Sequence, residues 1–289
     1  MEVSRPEINS LWNYSKPKET REKFSELYRN EEASAPADYL LQLKTQLART
    51  YSLVSEFDQA HEILDEVEQA LNQETPVANV RYLLERGRSY NSAGEKDKAK
   101  NLFILAYNEA KAINAHNYAV DGAHMVAIAS ATLEEKLEWN NLGLSQAQKS
   151  NDNKVRSWVG AFYNNMGWDL FEAKRYQEAL KMFESCRDFY KEVGADYQYQ
   201  IALWSIGKTY RLLGRVDEAL DMQETLLNEN GGEDKSGYTY EELAELRLVK
   251  GDSEKSKSFF RKSYEILSKD IWLQKNESAR LERIKNLSL

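Results

Sequence analysis

Three histidines (His61, His116 and His124) and one cysteine (Cys186) are the residues on which catalysis or metal binding would most readily rest in this 289-residue chain. None of them falls in a reactive pattern. The sequence has no H-E-x-x-H, no C-x-x-C and no Gly-rich phosphate loop, since Gly231-Gly232 lacks the Lys-Ser/Thr that should follow. Asp121 and His124 share a helix face by spacing, and a hydrogen-bonded structural pair fits them better than an acid–base dyad. Cys186 follows Ala179 on what should be the packed side of a helix, so it reads as a buried structural thiol. The sequence predicts no catalytic residue, no metal ligand and no cofactor. What remains is the chemistry of recognition. Asn164 and Asn165 can each donate to and accept from a peptide backbone, Trp168 and Trp204 offer aromatic surface, and Lys208 and Arg211 can meet a carboxylate.

Such groups need a frame, and composition makes it helical. Only 4 residues are Pro and 13 are Gly, too few for the turn every 8–12 residues or so that a sandwich or barrel requires. With 42% apolar residues and 11% aromatics, the chain can build a core, which excludes wholesale disorder. No apolar run approaches the roughly 18 residues of a membrane span, and the first residues lack a signal-peptide layout. A single Cys forms no intrachain disulfide, so a cytoplasmic protein is expected. The balance of 39 Lys+Arg against 47 Asp+Glu, a net charge of −8, argues against a nucleic-acid partner, which would need a broad basic footprint.

Internal repeats order the helices. Five segments place a small residue on one helix and an Ala or Ser 12 positions later on the next: Ala48 and Ala60, Gly87 and Ala99, Gly167 and Ala179, Gly207 and Ala219, Ala244 and Ser256. Small residues at these places should let two antiparallel helices touch each other. Gly94, Gly214 and Gly251 fall at equivalent turns, where a helix end wants a left-handed residue. Between about 117 and 150 the pattern blurs. One register puts His124 and Lys136 at the small positions, the other uses Ala127 opposite Trp139, and the first keeps the turn in frame. In it, His124 and Lys136 widen the gap between two helices.

With these anchors the chain resembles the tetratricopeptide repeat (TPR) family. The stretches Leu11-Trp12-Asn13-Tyr14-Ser15, Ala123-His124-Met125, Tyr163-Asn164-Asn165-Met166-Gly167-Trp168, Ile201-Ala202-Leu203-Trp204 and Gly237-Tyr238-Thr239-Tyr240 extend the resemblance to a group of uncharacterised bacterial cytoplasmic TPR proteins. The resemblance implies an all-α, right-handed superhelix (an α-solenoid) of about six helix pairs with extra terminal helices. We place an N-terminal cap at 1–37, pairs at about 38–72, 77–114, 117–150, 154–192, 196–229 and 237–264, and one capping helix at 265–289. The loop 228–237 should be the most flexible stretch.

In TPR proteins ligands lie along set positions of the first helix of each pair. Carried onto this sequence, those positions include Arg49, Arg81, Glu85, Arg88, Tyr118, Asp121, Asn164, Asn165, Trp168, Trp204, Lys208, Arg211, Tyr238, Glu241, Glu242 and Glu245. The resemblance thus implies a concave groove in which Arg88, His124, Asn164, Asn165, Trp168, Trp204, Lys208, Arg211 and Tyr240 form the candidate site. The two-carboxylate clamp of heat-shock co-chaperones is not reproduced, because its cations and amides fall here on Thr45, Arg49, Glu85, Tyr118 and Gly122. The expectation is a non-enzymatic adaptor or scaffold that binds an extended acidic peptide of a protein partner, with no membrane association. A receptor for a small anionic ligand or signalling peptide, and a self-assembling structural protein that leaves a homodimer open, stand as alternatives.

Overall fold

A computed structural model describes residues 5–289, which are helical with no strand among the described residues. The chain forms two compact units, one ending at Trp158 and the other comprising Val159–Leu289. In the first, a single 3-10 turn (Ile8–Leu11) precedes α1 (Pro17–Glu31), α2 (Ala37–Ser52), α3 (Phe57–Ala70), α4 (Pro76–Ser92), α5 (Lys96–Ala112), α6 (His116–Ala129), α7 (Leu133–Lys149) and the short α8 (Asn153–Arg156). The chain continues through α9 (Trp158–Glu172), α10 (Tyr176–Glu192), α11 (Asp196–Leu212), α12 (Val216–Glu229), α13 (Tyr238–Val249), α14 (Ser253–Leu267), α15 (Ile271–Asn276) and α16 (Ser278–Leu287).

One interval organises the pairs α2/α3, α4/α5, α6/α7, α9/α10, α11/α12 and α13/α14. Each second helix begins nine residues after the anchor of the first: Phe57 after Ala48, Lys96 after Gly87, Leu133 after His124, Tyr176 after Gly167, Val216 after Gly207 and Ser253 after Ala244. The blurred third pair thus keeps the interval with His124 in the anchor place. The contact itself differs from expectation. Gly87 lies under the ring of Phe103 and Gly167 under that of Phe183, each 16 residues on, and a methyl group at either glycine would enter the ring. The alanine at 12 lies one turn earlier, fully buried in the same seam. Large residues therefore fill the space that the glycine vacates. Leu64, Phe103, Phe183 and Phe260 are wholly inaccessible, each worth about 2–3 kcal/mol of burial.

Five of the turns share a left-handed residue seven positions after the anchor: Ser55 (φ 62°), Gly94 (87°), Lys174 (60°), Gly214 (75°) and Gly251 (77°). The next amide reaches back to close the helix end, as where Glu95 N–H donates to Tyr90 O at 2.9 Å and Arg175 N–H to Leu170 O at 2.9 Å. The third pair turns differently. Thr132 caps α7, its hydroxyl accepting from Glu135 N–H at 3.3 Å.

One expectation at the C-terminal edge needs correction. The C-terminal segment is not one capping helix, because Asp270 caps a new helix, accepting from Trp272 N–H at 2.8 Å and Leu273 N–H at 3.2 Å, and a break at Glu277 starts α16. Leu273, Leu281 and Ile284 then cover Phe260 and Leu267. In the loop before α13, the Asp234 carboxylate accepts from Ser236, Thr239 and Tyr240 N–H at 2.9, 2.7 and 3.2 Å.

Candidate functional site

Of the nine candidate residues, Arg88 and His124 lie in the first unit and the other seven in the second. Arg88 projects from α4 and is spoken for: it donates to Glu85 at 2.9 Å and to both oxygens of Asp121 at 2.5 and 2.6 Å. Burial works against its charge, but Asp121 and Glu85 outweigh burial and raise its pKa. Asp121 is thus held in a bidentate ion pair with Arg88. The His124 ring lies 5.3 Å from that of Trp158, whose indole N–H donates to Asn117 Oδ1 at 3.0 Å. Burial lowers the pKa of His124 despite the nearby Asp121 charge.

In the second unit, consecutive first helices set four rings in a row. Phe171 and Trp168 of α9 stand 5.2 Å apart, Trp168 and Trp204 of α11 5.9 Å, and Trp204 and Tyr238 of α13 5.8 Å. Asn164 and Asn165 are half-buried on α9, one helical turn from Trp168. The Lys208 ammonium sits 4.8 Å over the Trp204 ring. Lys208 and Arg211 both bond the buried carboxylate of Glu242, Lys208 at 3.3 Å and Arg211 at 2.7 and 3.0 Å. Burial raises the Glu242 pKa, yet these two cations hold it below the ordinary carboxylate range.

This corrects the expectation of a basic groove. A cation from one pair reaches a carboxylate of the neighbouring pair repeatedly: Arg49 to Glu85 at 3.2 Å, Arg88 to Asp121, Lys208 and Arg211 to Glu242. Arg280 and Arg283 of α16 reach back likewise to Glu241 and Glu245. Spacings of 31–39 residues along the sequence carried this signal, one repeat length away. Tyr240 also departs from expectation. It is 5% exposed, its ring stacks on Phe259 and its hydroxyl accepts from Asp234 N–H at 3.1 Å, so it holds the loop and presents no open face.

Beside Trp204 opens a pocket of about 570 Å³ whose walls include Tyr197, Ile201, Trp204, Leu226, Tyr238 and the loop at 233–236. Tyr197 is 72% exposed at its rim. Ile201 occupies the place on its helix that Arg81, Tyr118 and Tyr238 occupy on theirs, six residues before the anchor. Extending the positional reading to that residue would have found this wall. Tyr197 and the loop have no periodic signal. Among the described residues no group of three His, Cys, Asp or Glu side chains could hold a metal ion, and no helix is long and apolar enough to cross a membrane.

Residues 158–228 match the family model of the tetratricopeptide repeat. The chain carries tetratricopeptide repeats in that stretch and has an all-α, TPR-like helical repeat fold. It is similar in structure to the apo form of RapI, at 15% identity over 91% of this chain and 76% of that one, with a TM-score of 0.73. A signal-transduction ATPase of the STAND class with a TPR sensor, from Pyrococcus horikoshii, is similar at 13% identity with a TM-score of 0.74, over 92% of this chain and 42% of that one. NprR in complex with its cognate peptide NprX is similar at 18% identity over 97% and 81%, with a TM-score of 0.59. At these identities the likeness is one of fold. Among curated proteins none matches the chain in sequence.

Proposed function

We propose that the protein is a non-enzymatic interaction module that captures an extended segment of a partner protein along the first helices of its second unit, seating an apolar or aromatic side chain beside Trp204. The observation that carries this reading is the pocket of about 570 Å³ walled by Trp204, Tyr238 and Ile201, within the roughly 300–1,000 Å³ typical of ligand sites. The row of rings from Phe171 to Tyr238 continues the apolar surface away from it. Asn164, on the same face, supplies an amide for a peptide backbone. An acidic preference gains no support from this unit, since Glu242 already neutralises Lys208 and Arg211. That NprR was crystallised with a peptide favours a peptide over a small anion as the occupant. Selecting a random peptide library against the full chain tests the idea. Enriched peptides should share an aromatic or large aliphatic residue and lose at least about tenfold in affinity to Trp204→Ala, the scale of one well-packed aromatic anchor. Unchanged affinity, or no enrichment at all, would sink the assignment.

A further inference from the structure

Arg81 of α4 stands apart from every other buried cation of the first unit. It is 4% exposed, and among the described residues no carboxylate lies within ion-pair distance. Its partners are neutral: Nη1 donates to the Tyr118 hydroxyl at 2.7 Å and Nη2 to the Asn9 side-chain carbonyl at 2.9 Å. Its Nε–H is buried and has no hydrogen-bond partner. The cluster around it holds three guanidiniums, Arg49, Arg81 and Arg88, but only two carboxylates, Glu85 and Asp121, which serve Arg49 and Arg88. One buried positive charge is left over. Buried charges are ordinarily paired, because an uncompensated one is costly.

What covers Arg81 is the chain's own N-terminal segment. From residue 5 to residue 16 it runs over the first helices of the unit, with only Ile8 buried. Asn9 meets Arg81, the Trp12 indole donates to Gln46 Oε1 at 2.9 Å, and the Arg49 guanidinium lies 5.6 Å from the Trp12 ring and 5.3 Å from that of Tyr14. Glu7 pairs with Lys154 at 2.5 Å, and the Pro6 carbonyl accepts from the Tyr39 hydroxyl at 2.9 Å. Gln46, Arg49 and Arg81 are on the helix faces where repeats of this fold present ligand-binding residues. The segment therefore sits as a ligand sits, held by side-chain contacts at regular positions. It falls short at one point, because a neutral amide stands where a carboxylate would satisfy Arg81.

We propose that this face is a second recognition site, specific for a partner peptide that carries an acidic residue followed three and five positions later by aromatic residues, and that residues 8–14 occupy it in cis as a neutral mimic. The proposal rests on the reading of the protein as a peptide-binding module but concerns the other unit. Its test is separable, since Arg81→Gln alters only the first unit and Trp204→Ala only the second. An incoming carboxylate engages Arg81 through Nη2 and the unpartnered Nε, while its aromatic residues replace Trp12 and Tyr14 over Arg49.

The probes are two fluorescein-labelled synthetic peptides spanning residues 5–16, one of natural sequence and one carrying Asn9→Asp. Fluorescence polarisation reads their binding to the full-length Trp12→Ala/Tyr14→Ala protein, in which the cis segment is weakened. The Asp peptide should bind about tenfold tighter than the Asn peptide, as a charge-assisted bond replaces a neutral one. Adding Arg81→Gln to the protein should bring the two affinities together. The unaltered protein should bind either peptide roughly 100-fold more weakly, because a tethered competitor acts at about millimolar effective concentration. Equal affinities for the two peptides on the double variant, or no binding while its circular dichroism shows it folded, would overturn the proposal. Asn9→Asp placed in the full chain should raise the unfolding midpoint, and an unchanged or lower midpoint counts against it. A dimer of the unaltered protein that the double variant loses would assign the segment to a second copy and overturn the cis arrangement.

Discussion

Replacing Glu242 with Gln is the sharpest probe of the ion pairs that join neighbouring repeats. The carboxylate is 1% exposed and is shared by Lys208 and Arg211, whose side chains are 19% and 18% exposed. Gln preserves the volume and removes the charge, leaving two partly desolvated cations side by side. Breaking a buried pair from one side costs about 3–5 kcal/mol. Because each cation keeps some contact with water, we place the loss near the low end, at about 3 kcal/mol. For a unit of this size that corresponds to a midpoint lowered by about 10 °C. Urea unfolding followed by tryptophan fluorescence measures it directly, since the Trp204 ring lies against Lys208 and Trp168 lies next to Trp204. The pH dependence gives an independent check. The folded-state pKa of Glu242 lies below the ordinary 4.5, so its contribution is complete above that value and is lost as the pH falls through the depressed one. The gap between wild type and variant should be full near neutrality and close in acid. A loss below about 1 kcal/mol would place the pair with exposed ion pairs of little worth and refute the reasoning. So would a gap that stays constant into acid.

Three further outcomes follow from the packing. Lys174 holds φ 60° at an exposed turn where three equivalent positions carry Gly, so Lys174→Gly should stabilise by up to about 1 kcal/mol in urea unfolding. Gly167→Ala should cost more than Gly207→Ala, by about 1–3 kcal/mol in the same assay, because the new methyl group meets the Phe183 ring in one case and the movable Gln223 amide in the other. Cys186 is 1% exposed, its thiol donates to Gly160 O at 3.5 Å and burial pushes its pKa up to about 12. A disulfide reagent should therefore label it only as fast as the second unit opens.

The helix pairs were legible because packing leaves a periodic mark: small anchors recur in five pairs, and even the third, with His124 in the anchor place, keeps the nine-residue interval to its second helix. The ring that covers the anchor was not legible from the twelve-residue match. That match marks the seam, while Phe103 and Phe183 fill it one turn later. Site chemistry was harder to read, for a physical reason. Arg88, Lys208 and Arg211 look available when each repeat is read alone, but Asp121 and Glu242, which engage them, lie on the neighbouring repeat. The N-terminal segment is aperiodic, so nothing in its sequence marks where Trp12 or Asn9 docks. The pocket beside Trp204 takes one wall from an irregular loop, whose path depends on the capping role of Asp234.

The pairing of cations with carboxylates across repeats also bears on how freely this chain can be rearranged. Modules stacked only by interchangeable apolar faces can be shuffled, duplicated or deleted with little regard to order. Here several modules carry an address. If the α13/α14 module were moved ahead of α11/α12, Glu242 would follow α9, where Trp168 stands in the position that Lys208 holds on α11, while Lys208 and Arg211 would be left with no anion after them. The order of repeats is thus written in charge as well as in shape, and a recombination that preserved every helix would still be rejected at the joints.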